Sequence, residues 1–234
     1  KEFINLKEIE AAQALSNRTD VPEDVGTAYN PASSDWITAM VNNYLLSRGL
    51  DPHKVASNPY QQVSISRERM RLLFTGEDTS GLVGYLGRDF TGKAKAKAVN
   101  YKVGGKALTN MVLHRNNSNV VVLTEDNLSA LKIAMLPESY TVPGKVISLN
   151  GTAGSAGVTL ECIDKVVLIW LDGDPAGQRG AIKLSRDLHH LTECVIVNGE
   201  GDPKDYSEEE IHQIIAAGSE TFSRVINISE VLHD

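Results

Sequence analysis

The chain has 234 residues, 41% of them hydrophobic, with a formal net charge of −7; this suits one large or two modest folded domains and excludes a disordered polymer. No apolar run approaches the roughly 20 residues that a membrane-spanning helix needs, and the acid excess does not favour general nucleic-acid affinity. Two isolated cysteines, Cys162 and Cys194, exclude a zinc ribbon within this sequence and predict buried thiols in a reducing, cytoplasmic setting.

The sequence opens at Lys1, with neither an initiator Met nor a secretory leader, so a fragment or processed product is expected. Apolar residues at Phe3, Ile4, Leu6, Ile9, Ala12 and Leu15 predict an amphipathic helix over Lys1–Ser16. A polar loop follows to Ser34. Asp35 is placed to cap a helix over Trp36–Arg48 that stops at Gly49, and Asp51-Pro52 starts a further helical turn. Val63-Ser-Ile-Ser alternates as a strand does. Arg67, Arg69 and Arg71 would share one side of an extended segment, there either to meet phosphates or to solubilise an edge. A polar turn at Gly76–Gly81 and the apolar Leu82-Val-Gly-Tyr-Leu predict a hairpin.

Between Thr91 and Thr124 there is no Asp or Glu, while Lys93, Lys95, Lys97, Lys102, Lys106 and Arg115 all fall there. In an acidic chain this segregation makes a local positive field suited to a polyanion; the competing reading is a solvated, lysine-rich edge. Gly87-Arg-Asp-Phe-Thr-Gly92-Lys93 matches the first seven places of a P-loop. Ala94, however, has no hydroxyl for Mg²⁺, and alternating Lys and Ala do not open an apolar-faced helix, so that motif is set aside.

From Asn119 the pattern becomes βαβ: a strand at Val120–Leu123, a helix over Asn127–Met135 and a strand at Lys145–Leu149. Beyond these come a loop of small residues over Asn150–Gly157, a strand at Val166–Leu171, a helix over Gln178–Leu191, a strand at Cys194–Asn198 and a helix over Glu208–Ala217. Four strands alternating with helices predict a parallel α/β sheet. The small-residue loop allows N–H donation to an anion, and Gly173 would let a polyphosphate approach the backbone. Glu125, Asp172, Asp174 and Asp202 each follow a predicted parallel strand, and such ends share one rim. Carboxylates gathered there repel one another unless a cation sits among them. Oxygen ligands without clustered His or Cys point to Mg²⁺ or Mn²⁺. Taken singly, each acidic strand end also reads as a helix cap.

Glu125 after one strand and Asp172-Gly-Asp174-Pro-Ala-Gly177 after another are similar to the signature of TOPRIM proteins, which include primases, topoisomerases and nucleases. Leu149-Asn-Gly-Thr-Ala resembles the small-residue strand end of bacterial and phage primases, and Gly201-Asp202-Pro-Lys-Asp205 resembles their final acidic EDPD or KDAN segment. Upstream, Gly84-Tyr-Leu-Gly-Arg88 is similar to their GF-GR motif, Lys97-Ala-Val-Asn100 to KYLN, and Tyr44-Leu-Leu-Ser-Arg-Gly49 to the YL-RG helix end. The likeness runs in order from about Val21 to Ile215.

It implies a basic subdomain over residues 1–115, with a helical start and a small mixed sheet, then a metal-binding TOPRIM sheet flanked by helices over 116–234. The implied activity is primer synthesis from ribonucleoside triphosphates on single-stranded DNA. Asp172, Asp174 and Glu125 would be catalytic metal ligands, with Asp202 or Asp205 completing the rim. Arg88, Lys97 and Asn100 would contact the triphosphate, primer or template. A zinc-ribbon module and a replicative helicase would lie outside these residues. Where the family has EGxxD, this sequence has Asp126 and Ser129 after Glu125, so one acid has shifted or been lost. Two other functions fit the same motifs: a metal-dependent nuclease, and a non-catalytic single-stranded-DNA-binding replisome component.

Overall fold

The structure, a computed structural model, describes residues 19–220 and 225–233; the helix expected over Lys1–Ser16 lies outside them. The chain divides into two units, residues 1–108 and 109–234.

In the first unit, helix α1 (Trp36–Ser47) begins where Asp35 accepts hydrogen bonds from the backbone N–H of Ile37 and Thr38, both at 3.1 Å. Gly49, at φ 66°, follows its end. Asp51 caps α2 (Pro52–Ser57) in the same way. Strands β1 (Gln62–Ser66), β2 (Arg71–Glu77), β3 (Val83–Asp89) and β4 (Ala98–Tyr101) pair antiparallel in sequence order. The β2–β3 hairpin stands as expected, closing at Glu77 opposite Val83. Leu73, Val99 and Tyr101 form a core cluster on which Val21, Val25, Tyr85 and Ala96 pack.

The arginine-rich stretch is not extended. Residues 67–70 turn between β1 and β2, with Met70 at φ 49°. Asp24 organises that turn, accepting from Arg67 N at 2.6 Å, Glu68 N at 3.0 Å and Ser66 Oγ at 2.7 Å. Arg67 pairs with Asp35 and Arg69 with Asp20, each at 3.0 Å, and buried Arg71 donates to the Ala96 carbonyl at 2.8 Å. These charges hold the unit together and do not line one open side. The P-loop look-alike also takes a different form. Asp89 ties the loop after β3 by accepting from Thr91 N and Ala94 N, and no helix follows.

The second unit carries β5 (Met111–His114), β6 (Val120–Thr124), α3 (Asn127–Ala134), β7 (Lys145–Ser148), α4 (Ala156–Cys162) and β8 (Val166–Trp170). They are followed by α5 (Pro175–Leu188), β9 (Glu193–Asn198), α6 (Glu208–Glu220), β10 (Val225–Asn227) and α7 (Ile228–His233). The strand order is β10-β9-β8-β6-β7-β5, parallel throughout except that β5 runs against β7. The β-branched runs of β6 and β8 lie in the middle, where a strand buried on both faces needs continuous apolar sequence.

One core cluster joins Val121, Leu123, Val167 and Ile169 of the sheet to Val158 and Cys162 of α4 and to Ala181, Leu184 and Leu188 of α5. Cys194 lies in the same cluster, and both cysteines are buried and outside any disulfide; burial pushes the Cys162 thiol up to about 12. Strands β5 and β10 and helices α4 and α7 have no signature in the sequence pattern. Their short runs carry too few periods to show a face. No helix among the described residues is long and apolar enough to cross a membrane.

Candidate metal centre and basic groove

Because β9, β8 and β6 are neighbours and parallel, the residues after their C-terminal ends come together on one rim. Asp126, Asp172 and Asp202 each offer a carboxylate oxygen, and these three lie within 4.8 Å of one another. Glu125, one residue past β6, belongs to the same electrostatic neighbourhood. Burial raises its pKa first, and the charge of Asp174 raises it further, against a hydrogen bond from the Asp172 backbone. The Asp172 carboxyl is pushed up to about 7, by burial foremost and then by Asp202 and Glu125, with Lys204 pulling the other way. Glu125 Oε2 and Asp172 Oδ1 are both shielded from solvent and have no hydrogen-bond partner. A buried anionic oxygen in this state is costly unless a cation meets it. The donor set is all oxygen, so it fits a hard divalent ion of the Mg²⁺ or Mn²⁺ kind.

The other predicted acids are placed differently. Asp174 is exposed and caps α5, accepting from Ala176 N and Gly177 N at 2.8 Å each through Oδ1. Its second oxygen is not used by the cap. Asp205 is exposed and closes a short 3-10 turn (Pro203–Asp205), accepting from Asp202 N at 2.9 Å; it is not among the three clustered carboxylates.

Asp126, which reads in the sequence as a departure from the expected pattern, takes a central place. Its Oδ1 caps α3, accepting from Leu128 N and Ser129 N, while its Oδ2 accepts from the Lys204 ammonium at 2.9 Å. Lys204 also bonds Asp202. Burial alone would lower the Lys204 pKa, but Asp126 and Asp202 outweigh it and keep the ammonium charged. Lys132 of α3 fixes the turn beneath by donating to the Lys204 carbonyl at 2.7 Å.

Of the two loops assigned to phosphate, the one at Gly173 is filled by the protein's own backbone, and the small-residue loop spends one N–H on the chain itself. A Cβ on Gly173 would sit 2.5 Å from the Gly199 carbonyl oxygen and 2.6 Å from that of Glu200. This glycine therefore admits the β9 loop, where the sequence suggested room for a polyphosphate. In the small-residue loop, Gly151 N–H donates to the Glu125 carbonyl at 3.1 Å and so anchors the residue after β6. Neighbouring Asn150 sits at φ 53° and has a buried amide nitrogen with no partner, a donor at the rim that no feature of the sequence singles out.

In the first unit, a groove of about 460 Å³ is lined by Tyr44 of α1 and Arg48 just past its end, Arg88 of β3, and Lys95 and Lys97 of the following loop. Three of the predicted basic residues thus converge, and the C-cap of α1 adds Arg48, whose guanidinium lies 5.6 Å from the Tyr44 ring centre. Lys93 is exposed on the same loop but does not line the groove. Asn100 lies on β4 opposite Leu86, with its side-chain oxygen buried and unpartnered. Lys102 and Lys106 are exposed on and near the turn after β4 and lie apart from the groove lining.

No family model and no curated protein matches this chain. Solved structures do. The crystal structure of the Aquifex aeolicus primase, comprising zinc-binding and RNA polymerase domains, is similar with a TM-score of 0.59 at 16% identity, over 79% of this chain and 56% of that one. The primase fragment of the bacteriophage T7 primase-helicase is similar with a TM-score of 0.50 at 14% identity, over 88% of this chain and 84% of that one. This chain therefore spans little more than half the length of the Aquifex protein's structure. At such identities the likeness is one of fold: the chain has the architecture of a primase core of the bacterial and phage type.

Proposed function

We propose that this chain is the catalytic core of a DNA primase, joining ribonucleotides into short primers on single-stranded DNA. The observation that carries the reading is the rim itself. Unpartnered, buried oxygens of Glu125 and Asp172 lie beside the Asp126–Asp172–Asp202 group, at the strand ends of a fold shared with bacterial and phage primases. In the transfer, a 3′-hydroxyl oxygen forms a bond to the α-phosphorus of a nucleoside triphosphate. The bond from that phosphorus to the bridging oxygen breaks, pyrophosphate leaves, and the hydroxyl proton passes to solvent.

Glu125, Asp172 and Asp174 would hold Mg²⁺ or Mn²⁺, with Asp202, paired to Lys204, completing the acidic rim. Such an ion, when bound, lowers the pKa of the attacking hydroxyl and offsets charge on the leaving pyrophosphate. The chain's own part is to orient the ligands. Capping bonds fix Asp174 and Asp126 at the first turns of their helices, and the Gly151–Glu125 backbone bond fixes the end of β6. Arg48, Arg88, Lys95 and Lys97 supply a cationic groove for phosphates of the template or the triphosphate. The implied partners are a single-stranded DNA template and ribonucleoside triphosphates. A zinc-ribbon module and a replicative helicase would be provided elsewhere, and the setting is the cytoplasm.

The test is to incubate the chain with single-stranded DNA, labelled ribonucleotides and Mg²⁺ or Mn²⁺. A parallel reaction carries an annealed RNA primer, so that start-site choice is bypassed. Labelled oligoribonucleotides or an extended primer are the expected result. Degraded DNA would make the chain a nuclease, and neither product would leave a DNA-binding replisome component.

A further inference from the structure

Lys204 is an unusual occupant for a metal rim. Its side chain is 6% exposed, its ammonium bonds both Asp126 and Asp202, and those two acids belong to the three-carboxylate group with Asp172. It is not a surface lysine that happens to fold inward. Pro203 starts the turn, the Asp202–Asp205 capping box closes it, and Lys132 holds the Lys204 carbonyl from α3. In the sequence Asp202-Pro-Lys, the lysine stands where the EDPD segment that this stretch resembles has its last acid.

The rim therefore has two unlike halves. At the Asp126–Asp202 side the negative charge is already met by a fixed ammonium. At the Glu125–Asp172 side, buried oxygens have no partner. From this contrast, and resting on the metal-dependent reading above, we infer that Lys204 is a tethered replacement for a second divalent ion, so that the rim binds a single Mg²⁺ or Mn²⁺, on the Glu125–Asp172 side. A lysine supplies one positive charge in a fixed direction and needs no free ion. It cannot supply Lewis acidity, so the ion-dependent chemistry is confined to the one remaining position.

Removing the ammonium without shortening the side chain, by Lys204→Met, frees Asp126 and Asp202 to take a second cation. Mn²⁺ alone is titrated into the full chain near pH 8 and followed by electron paramagnetic resonance and calorimetry. The wild type is expected to bind one tight ion. Lys204→Met is expected to bind two, with the line broadening of neighbouring Mn²⁺ centres, while Lys204→Arg keeps one. Two tight ions on the wild type would overturn the inference, even if Lys204→Met fails to fold. Equal counts in wild type and Lys204→Met would do the same. No ion on the wild type would overturn the inference and remove the metal-dependent reading of the site with it, whatever Lys204→Met binds. One ion with no primer synthesis would sink the primase proposal and leave the lysine's place intact.

Discussion

At the scale of single residues, Asp172 carries the most information. Its carboxyl is pushed up to about 7, chiefly by burial and then by Asp202 and Glu125, whereas in the unfolded chain it titrates in the ordinary carboxylate range. The folded state therefore binds more protons than the unfolded one between about pH 4 and pH 7. Stability from this group is full below that window and falls as pH rises through it. Thermal melts in chelator should accordingly show a falling midpoint from pH 5 to pH 8, and Asp172→Asn should flatten that fall. The same substitution should lower primer synthesis by on the order of 100-fold or more, since a negative ligand becomes neutral. A wild-type midpoint that rises over this range would contradict the burial of an unpartnered carboxylate. Gly173 offers a different test. A Cβ there meets backbone carbonyls, which cannot rotate away, so Gly173→Ala should cost about 1–3 kcal/mol in urea unfolding with or without metal.

At the scale of elements, the acidic strand ends do two things at once. Asp174 caps α5, so its bland reading as a helix cap is correct for the backbone, and Asp126, which the sequence did not single out as a cap, caps α3. The second oxygen of Asp174 remains for the rim, whereas that of Asp126 accepts from Lys204. The two roles separate by chemistry. Asp174→Ala should lose about 1 kcal/mol of stability through the cap, whereas Asp174→Asn retains an oxygen acceptor and should leave stability nearly unchanged. Both variants should weaken Mn²⁺ binding, which calorimetry reads directly. If Asp174→Asn bound Mn²⁺ as the wild type does, Asp174 would be a cap alone. The helix N-caps were legible because Asp before an apolar-periodic run has one dominant use. The tight turn at Arg67–Met70 was not, because it depends on Asp24, more than forty residues upstream, accepting its N–H groups.

At the scale of the whole molecule, the negative total charge hides two local fields of opposite sign. The acid-free stretch contributes Lys95 and Lys97 to the groove with Arg88 and Arg48, while the carboxylates gather at the strand ends of the second unit. Single-stranded DNA binding should therefore fall steeply with salt despite the acid excess. Replacing Arg88 and Lys97 together by Ala should reduce the slope of log K against log salt by about 0.7 for each phosphate that is no longer neutralised. Fluorescence anisotropy of a labelled oligonucleotide at several salt concentrations measures this. An unchanged slope would move the polyanion site to Lys102 and Lys106.

The sequence by itself determined the parallel α/β half, the strand ends on which acids stand and the segregation of lysines, because these follow from local periodicity and composition. Only the tertiary structure decided which acids meet. Strand order brings the ends of β6, β8 and β9 together, so Asp126 joins Asp172 and Asp202 while Asp205 turns back onto its own backbone. It also seated Lys204 among those acids and closed Gly173 against the β9 loop. Which residues meet across long stretches of chain depends on packing and charge in three dimensions, and a one-dimensional pattern holds no record of it.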